Sequence, residues 1–291
     1  MAMAMAKAFD FLPAAVEELA RADAARALDE DIGTGDLTAG LIAAERRARA
    51  HVLAREAAVI CGAPWVDAAL RRVDPGVQIR WLVAEGERSE PGQRVLELEG
   101  TARGLLTAER TALNFLQLLS AVATKTATYV EAVAGTRAQI VDTRKTLPGL
   151  RLAQKYAVKT GGGVNHRIGL YDAILIKENH IAAAGGVTAV LKAAGQVAAR
   201  ASFVEIEVET LAQLEEALAA GATMVLLDNM DLPTLREAVR INNGRAILEI
   251  SGGVTLDSVR QLAETGVDRI SIGSLTKDVK AIDFSMRLKE I

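Results

Sequence analysis

The sequence is poor in several features that would each mark a particular class of protein. It has one cysteine, Cys61, so it cannot form an intrachain disulfide, and it fits a reducing cytoplasm. Aromatic residues make up 3% of the chain and the formal net charge is −3, whereas nucleic-acid binding favours a basic balance and aromatic stacking. The longest run without Lys, Arg, Asp or Glu covers residues 111–124, which is too short to cross a bilayer. The composition therefore predicts a soluble protein that binds neither nucleic acid nor a membrane.

What remains is an ordinary globular composition. The chain has 291 residues and half of them are hydrophobic, which is enough for one large or two smaller α/β domains with a substantial core. The start, MAMAMAKAFD, lacks a basic segment ahead of a sustained apolar stretch, so it does not read as a signal peptide. We expect residues 1–10 to form a disordered tail.

From residue 138 onward, short apolar β-branched runs alternate with helical periods. The six predicted strands are AQIVDT, YDAILIK, SFVEIEVE, ATMVLLD, RAILEIS and DRISIGS. Thr210 with Gln213 and, further on, Thr255 are N-cap signals for two of the helices between them. Apolar strands that are each followed by a helix predict a parallel sheet, and six units are fewer than the eight of a closed barrel. The fold class is therefore α/β, with an open, incomplete barrel.

The first hundred residues have a different pattern. A helical stretch, LPAAVEELARADAARALDED, precedes the strand-like runs RARAHVLAREAAVICG, VQIRWLVAEGERSE and RVLELEG. This pattern is typical of an α+β domain, and a helix from about Thr107 to Val133 joins it to the barrel.

Positive charge is concentrated in residues 142–177, which hold seven Lys or Arg against two Asp. The chemistry of parallel barrels lies at the carboxyl ends of the strands, and the predicted ends here are unusually polar. The first two predicted strands end in Lys or Arg, and the next two end in Glu or Asp. The last two are followed by Gly/Ser turns whose backbone N–H groups can approach an anion. Together they predict a site for a phosphosugar and an anionic partner.

Several segments of the chain closely resemble one enzyme family. They are EDIGTGDLT (30–38), ERTALNFLQ (109–117), DTRKTLPGLRLAQKYAVKTGGGVNHRIGLYDAILIKENHI (142–181), EIEVET (205–210), LLDNM (226–230), EISGGV (249–254) and ISIGSLTKDVKAIDFSM (270–286). Over nearly the whole chain after the tail, the sequence resembles quinolinate phosphoribosyltransferase.

The resemblance implies an N-terminal α/β sandwich domain (11–120), an open barrel (121–291), and a homodimer or higher oligomer with shared active sites. It implies that quinolinate and phosphoribosyl pyrophosphate, with Mg²⁺, give nicotinate mononucleotide, pyrophosphate and CO₂ in NAD biosynthesis. Its quinolinate-binding positions are Thr143, Arg144, His166, Arg167 and Lys177, with Arg110 contributed across the dimer interface.

The positions implied for phosphoribosyl pyrophosphate are Lys145, Glu207, Asp228, Ser251, Gly252, Gly253, Ile272, Gly273, Ser274 and Lys277. Of these, Lys145, Glu207 and Asp228 are the implied catalytic residues, and the two acids lie near the metal. One departure concerns Lys277, because many members of the family have a histidine there.

Three other functions fit parts of the pattern. A related phosphoribosyltransferase would take another pyridine or pyrimidine acid. Release of CO₂ distinguishes quinolinate phosphoribosyltransferase from it. A Schiff-base aldolase would use Lys145 or Lys177 and be trapped by borohydride. A barrel kept only as a phosphosugar sensor would not need acids beside an anionic ligand.

Overall fold

A computed structural model describes residues 9–290, so most of the predicted tail lies outside the described residues. Contacts group the chain into two units. The barrel unit contains Thr128–Thr146 and Gly163–Ser274, and the sandwich unit contains Asp10–Ala127, Leu147–Gly162 and the chain from Leu275 onward. Residues 121–127, residues 147–162 and the chain from Leu275 onward group with the sandwich unit, whereas a single boundary at residue 120 assigns all three to the barrel.

The secondary structure within residues 9–290 follows the order of the chain. The strands are β1 (Arg47–Ala54), β2 (Ala58–Val59), β3 (Gln78–Trp81), β4 (Arg88–Ser89), β5 (Arg94–Thr101), β6 (Gln139–Val141), β7 (Ile174–Ile176), β8 (Val204–Val208), β9 (Met224–Asp228), β10 (Ile247–Ser251), β11 (Arg269–Ser271) and β12 (Phe284–Glu290). The helices are α1 (Pro13–Ile32), α2 (Ala63–Val73), α3 (Ala102–Ala132), α4 (Arg151–Thr160), α5 (Glu178–Ala184), α6 (Val187–Gly195), α7 (Leu211–Ala219), α8 (Leu232–Asn242), α9 (Leu256–Ala263) and α10 (Ser274–Lys277).

The sandwich unit is built on an antiparallel sheet with the strand order β12-β1-β5-β3. In β1 the residues alternate between exposed or partly exposed and buried positions, and the buried face is formed by Ala48, Ala50, Val52 and Ala54. This face joins a core that also contains Leu28 from α1 and residues from α2 and α3. The β12 strand pairs with β1, which explains why the end of the chain belongs to this unit.

Helix α4 also belongs to the sandwich unit, although it follows the first barrel strand in sequence. Its Tyr156 ring lies 5.3 Å from the ring of Trp65 on α2. The Gln154 side chain is fully buried and donates to the carbonyl of Thr276 at 2.8 Å. The predicted helix is therefore present, but its packing partners lie in the sandwich unit.

The barrel unit contains a six-stranded parallel sheet with the order β6-β11-β10-β9-β8-β7. All six strands predicted from the sequence are present. Within the described residues β6 and β7 are the two edges and do not pair with each other, so the prediction of an open barrel is confirmed. The expected caps of α7 and α9 also form: Thr210 accepts from the amide of Gln213 at 3.2 Å, and Thr255 accepts from that of Ser258 at 3.3 Å.

No helix within residues 9–290 combines the length and the apolar character that a bilayer crossing requires.

Candidate active site

The carboxyl ends of the barrel strands lie at one edge of the sheet. The register pairs Ser251 with Asp228 and Ser271 with Val141, so the strand ends are nearly level. The predicted site residues that follow or end these strands therefore share this edge, as parallel strands require. We call Thr143, Arg144, Lys145, Lys177, Glu207 and Asp228 the strand-tip residues.

A salt bridge links two neighbouring strands at this edge. Lys177 follows β7 and its Nζ lies 2.8 Å from Oε2 of Glu207 on β8. Half of the lysine side chain is exposed, whereas the glutamate side chain is 13% exposed. The sequence placed these residues in two different subsites, and the structure brings them into direct contact.

Two arginines lie near enough in the same region for their charges to interact. Arg167 is 9% exposed, and burial lowers the pKa of its guanidinium, which the charge of Arg144 lowers further. Asp172 and Glu205 oppose the shift as nearby anions. Two like charges that lie near each other repel, and a bound dicarboxylate would offset that repulsion.

The side chain of Lys145 packs close to Gly273, which follows β11. A Cβ atom added to Gly273 would stand 2.9 Å from Cδ of Lys145 and 3.6 Å from Oγ1 of Thr143. That same hydroxyl accepts from the backbone N–H of Lys145 at 3.1 Å. The small residue at position 273 therefore leaves room for the lysine stem, and both positions belong to the set predicted for phosphoribosyl pyrophosphate.

The turn after β10 approaches the end of β9. A Cβ on Gly252 would lie 3.6 Å from Oδ1 of Asp228, and Gly252 and Gly253 have φ values of 98° and 60°. Glycine adopts such left-handed conformations without steric cost. Ser251 ends β10, and Ser274 begins α10 three residues after β11 ends, so the small-residue turns are at the predicted edge.

The loop that carries Arg167 is held by side chains. Four consecutive amides, of residues 166–169, each donate to a side-chain acceptor. Asp142 accepts from residue 166 at 2.9 Å, and Asp172 accepts from residues 168 and 169 at 2.9 and 2.8 Å. The amide of Arg167 donates to Nδ1 of His166 at 2.8 Å.

Beneath the strand tips lies a group of ionisable residues, which we call the buried floor: His166, Glu205 and Glu249 are buried, and the side chain of Arg269 is 13% exposed. Nε2 of His166 lies 2.8 Å from Oε2 of Glu205 and 3.7 Å from Oε1 of Glu249. Arg269 Nε lies 3.4 Å from the other Glu249 oxygen. Burial raises the pKa of Glu205 to about 7 and also that of Glu249 to about 7, with the charge of Glu205 adding to the second shift.

Ligand atoms of His166, Glu205 and Glu249 lie within 4.8 Å of one another, close enough to contact one metal ion. Two observations oppose a metal there. Both ring nitrogens of His166 are engaged in hydrogen bonds, and the cationic Arg269 already faces Glu249.

The structure thus gathers most of the predicted site residues within the barrel unit. Arg110 and Lys277 belong to the sandwich unit, and both side chains are exposed, so their roles stay predictions. Sequence reasoning missed Glu205, Glu249 and Arg269. The available signal was the strand periodicity, because Glu205 precedes Glu207 by two residues and therefore shares its face.

Comparison with known proteins decides the family. Residues 36–120 match the N-terminal domain of quinolinate phosphoribosyl transferase, and residues 122–287 match its C-terminal domain. The chain belongs to the quinolinate phosphoribosyltransferase family.

Individual members of this family are similar over almost their whole length. A probable nicotinate-nucleotide pyrophosphorylase [carboxylating] of Bacillus subtilis is 43% identical over 88% of this chain and 89% of its own. The Mycobacterium leprae nicotinate-nucleotide pyrophosphorylase [carboxylating] is also 43% identical, over 93% and 98%. The solved nicotinate-nucleotide pyrophosphorylase of Francisella tularensis is 41% identical and superposes with a TM-score of 0.92 over 97% of this chain and 99% of that one.

Proposed function

We propose that this chain transfers the phosphoribosyl group of phosphoribosyl pyrophosphate to quinolinate, with loss of CO₂, as a step of NAD biosynthesis. The products are nicotinate mononucleotide, pyrophosphate and CO₂. The observation that carries the proposal is the side-by-side arrangement of cations and acids at the strand tips. The charges of Arg144 and Arg167 lie near enough to interact, and the Lys177–Glu207 pair stands at the ends of β7 and β8.

Quinolinate is a pyridine ring with two adjacent carboxylates. Two guanidinium groups and an ammonium group suit such a ligand, because arginine binds a carboxylate through two parallel hydrogen bonds. We assign Arg144, Arg167 and Lys177 to the two carboxylates, with Thr143 at the same edge. Arg110 would reach the site from a second subunit, so the active assembly would be a homodimer or a higher oligomer.

Phosphoribosyl pyrophosphate would lie beside the ring. Lys145 is assigned to the pyrophosphate, Glu207 and Asp228 to the ribose hydroxyls, and the turns after β10 and β11 to the 5′-phosphate. Ser251, Gly252, Gly253, Ile272, Gly273 and Ser274 form those turns, and Lys277 is a further cation for phosphate. Mg²⁺ bound to the pyrophosphate, near the two acids, would supply charge neutralisation for the leaving group.

At the ribose and the pyridine ring the reaction breaks two bonds, C1′–O and C2–carboxylate, and forms two, N–C1′ and C2–H. The C1′–O bond breaks and pyrophosphate leaves with the electron pair, while Lys145 stabilises its growing negative charge. The carboxylates of Glu207 and Asp228 stabilise positive charge that develops on the ribose. The ring nitrogen then bonds to C1′, and the cationic ring accepts the electron pair of the C2–carboxylate bond as CO₂ departs. A proton from water fills C2.

The assay of purified protein with quinolinate, phosphoribosyl pyrophosphate and Mg²⁺ tests this proposal. We expect equal amounts of CO₂ and nicotinate mononucleotide, and no product without Mg²⁺. Turnover of nicotinate in place of quinolinate, without CO₂, would support the related phosphoribosyltransferase instead. Borohydride trapping of a carbonyl substrate on Lys145 or Lys177 would support the aldolase, and binding of phosphoribosyl pyrophosphate without turnover would support the sensor.

The single cysteine is buried, and we propose a cytoplasmic location because a lone cysteine fits a reducing compartment.

A further inference from the structure

The loop that contains Arg167 has no regular secondary structure of its own. Residues 165–167 belong to neither a helix nor a strand, so their position depends on side-chain acceptors. Carboxylates hold the amides of residues 166, 168 and 169. The amide of Arg167 alone in this series is held by an imidazole, whose acceptor capacity depends on the tautomer of the ring.

The hydrogen-bond partners of His166 define that tautomer. Nδ1 accepts from the Arg167 amide, so it carries no proton. Nε2 must then carry the proton and donate it to Oε2 of Glu205 at 2.8 Å. The ring is 8% exposed and meets Phe203 edge-on, with 5.1 Å between the ring centroids. Both nitrogens are therefore used inside the protein, which leaves neither of them for a substrate carboxylate.

We propose that Glu205 is a positioning residue: it holds His166 in the Nε2–H tautomer, and Nδ1 of His166 in turn fixes the main chain of Arg167 for binding the quinolinate carboxylate. This inference rests on the proposed function, because it assigns the guanidinium of Arg167 to that substrate. It gives His166 a positioning role in place of the direct contact with quinolinate that the resemblance implies.

The physical need for such a device follows from the charges around Arg167. Arg167 is buried, the like charge of Arg144 lies nearby, and Asp172 and Glu205 are nearby anions that oppose its effect. A fixed backbone limits the positions that the Arg167 side chain can reach, and the ring of His166 supplies the acceptor that fixes it. Lys145 is held separately, through the hydroxyl of Thr143, so loss of Glu205 should weaken quinolinate binding and spare phosphoribosyl pyrophosphate.

A matched pair of variants at position 205 tests the first link. Glu205→Gln keeps an oxygen acceptor for the Nε2 proton, whereas Glu205→Leu has a similar volume without an acceptor. We expect the Leu variant to raise KM for quinolinate about tenfold, the effect of one lost hydrogen bond with an unsatisfied partner, with KM for phosphoribosyl pyrophosphate and kcat little changed. The Gln variant should stay within about threefold of wild type. Equal losses in both variants, or losses shared by both substrates, would overturn the proposal.

A second pair tests the other link even if Glu205→Leu folds poorly. The amide oxygen of Asn reaches the position of Nδ1, and the amide of Gln reaches that of Nε2. His166→Asn should therefore keep the acceptor for Arg167 and nearly normal KM for quinolinate, whereas His166→Gln should lose it and raise that KM about tenfold. If His166 contacted quinolinate directly, both variants would fail alike and Glu205→Leu would leave the KM unchanged.

The tautomer itself can be read without any turnover. Nitrogen NMR of protein labelled at histidine distinguishes a bare Nδ1 from a protonated one, and His51→Asn and His180→Gln variants assign the signals of the three histidines. We expect a bare Nδ1 and a protonated Nε2 in wild type and in Glu205→Gln, and a mixture in Glu205→Leu. A protonated Nδ1 in wild type would refute the positioning role. Absence of quinolinate turnover in wild type with the expected tautomer would instead refute the proposed function.

Discussion

Two glutamates on the same strand show how depth in the barrel decides the role of a side chain. Glu205 and Glu207 are separated by one residue of β8, so they point to the same face, about 7 Å apart along the strand. Glu205 is fully buried and contacts His166, and burial raises its pKa. Glu207 is partly exposed and pairs with Lys177. The outer acid can meet a ligand, whereas the inner acid reaches only protein.

The same contrast separates the strand-tip residues from the buried floor. Charges at the tips keep partial contact with water, so replacing one should change substrate binding or turnover and leave the free energy of unfolding almost unchanged. Charges in the floor are enclosed, so replacing one should change stability or the position of the residues above. Arg167 follows His166 of the buried floor and is assigned to the same ligand as the strand-tip residues, so it belongs to the boundary between the two groups.

The largest effect that we expect comes from a strand-tip residue. Lys145→Ala should lower kcat by about two orders of magnitude or more, the usual result of removing a group that stabilises transition-state charge. Its Tm should match that of wild type, because the side chain is exposed. Lys192→Ala, which removes another exposed lysine in the barrel unit, is the matched control for the lost charge. A kcat near the wild-type value would remove Lys145 from its catalytic role.

At the boundary between the layers, Arg167→Ala should mainly weaken quinolinate binding. Loss of a charged hydrogen bond to a carboxylate should raise KM for quinolinate by about tenfold to a hundredfold, with a smaller change in kcat. Inhibition by nicotinate, which lacks one of the two carboxylates, should change much less. Steady-state kinetics with both compounds measure the difference, and equal weakening would contradict the assignment of Arg167 to the additional carboxylate.

The strand tips could be predicted from the sequence, whereas the floor could not. Each barrel strand is a short apolar run with a clear polar end, so the residues after it stand out, as Lys177 does after Ile174–Ile176. Glu249 lies inside a strand instead, between buried apolar neighbours. A single acid in such a run has no partner that spacing reveals, because its contact with Arg269 depends on the pairing of β10 with β11.

Long-range pairing also explains what was missed in the sandwich unit. The segment Phe284–Glu290 pairs with β1, more than 200 residues earlier in the chain, and periodicity does not identify a partner at that distance. Helix α3 begins at Ala102, directly after β5 ends at Thr101, whereas the sequence predicted a start near residue 107. No glycine or proline separates the two elements at Thr101 and Ala102, so the boundary has no strong local signal.

A smaller effect on turnover should come from the glycine beside Lys145. Gly273→Ala introduces a Cβ 2.9 Å from Cδ of that lysine, so the flexible stem must move. We expect kcat to fall about tenfold through loss of charge stabilisation, while Tm stays close to that of wild type because no backbone atom is displaced. Gly195→Ala, where a Cβ would meet open space, is the matched control. A fall in Tm together with unchanged kcat would show that position 273 serves folding instead of the lysine.

The smallest effect that we expect concerns the buried floor alone. It is a dependence of the protein's stability on pH. The folded pKa of Glu249 is raised to about 7 from an ordinary value of 4.5, so the folded protein binds more protons than the unfolded chain between these values. Stability then falls as pH rises through that window, because a charge must form in a buried place. Glu249→Gln removes the titration, so its Tm relative to wild type should rise by a few degrees between pH 5 and pH 8, at equal protein concentration. Asp257→Asn, at an exposed acid, should show no such trend, and a constant Tm difference for Glu249→Gln would mean that Glu249 is already ionised at pH 5.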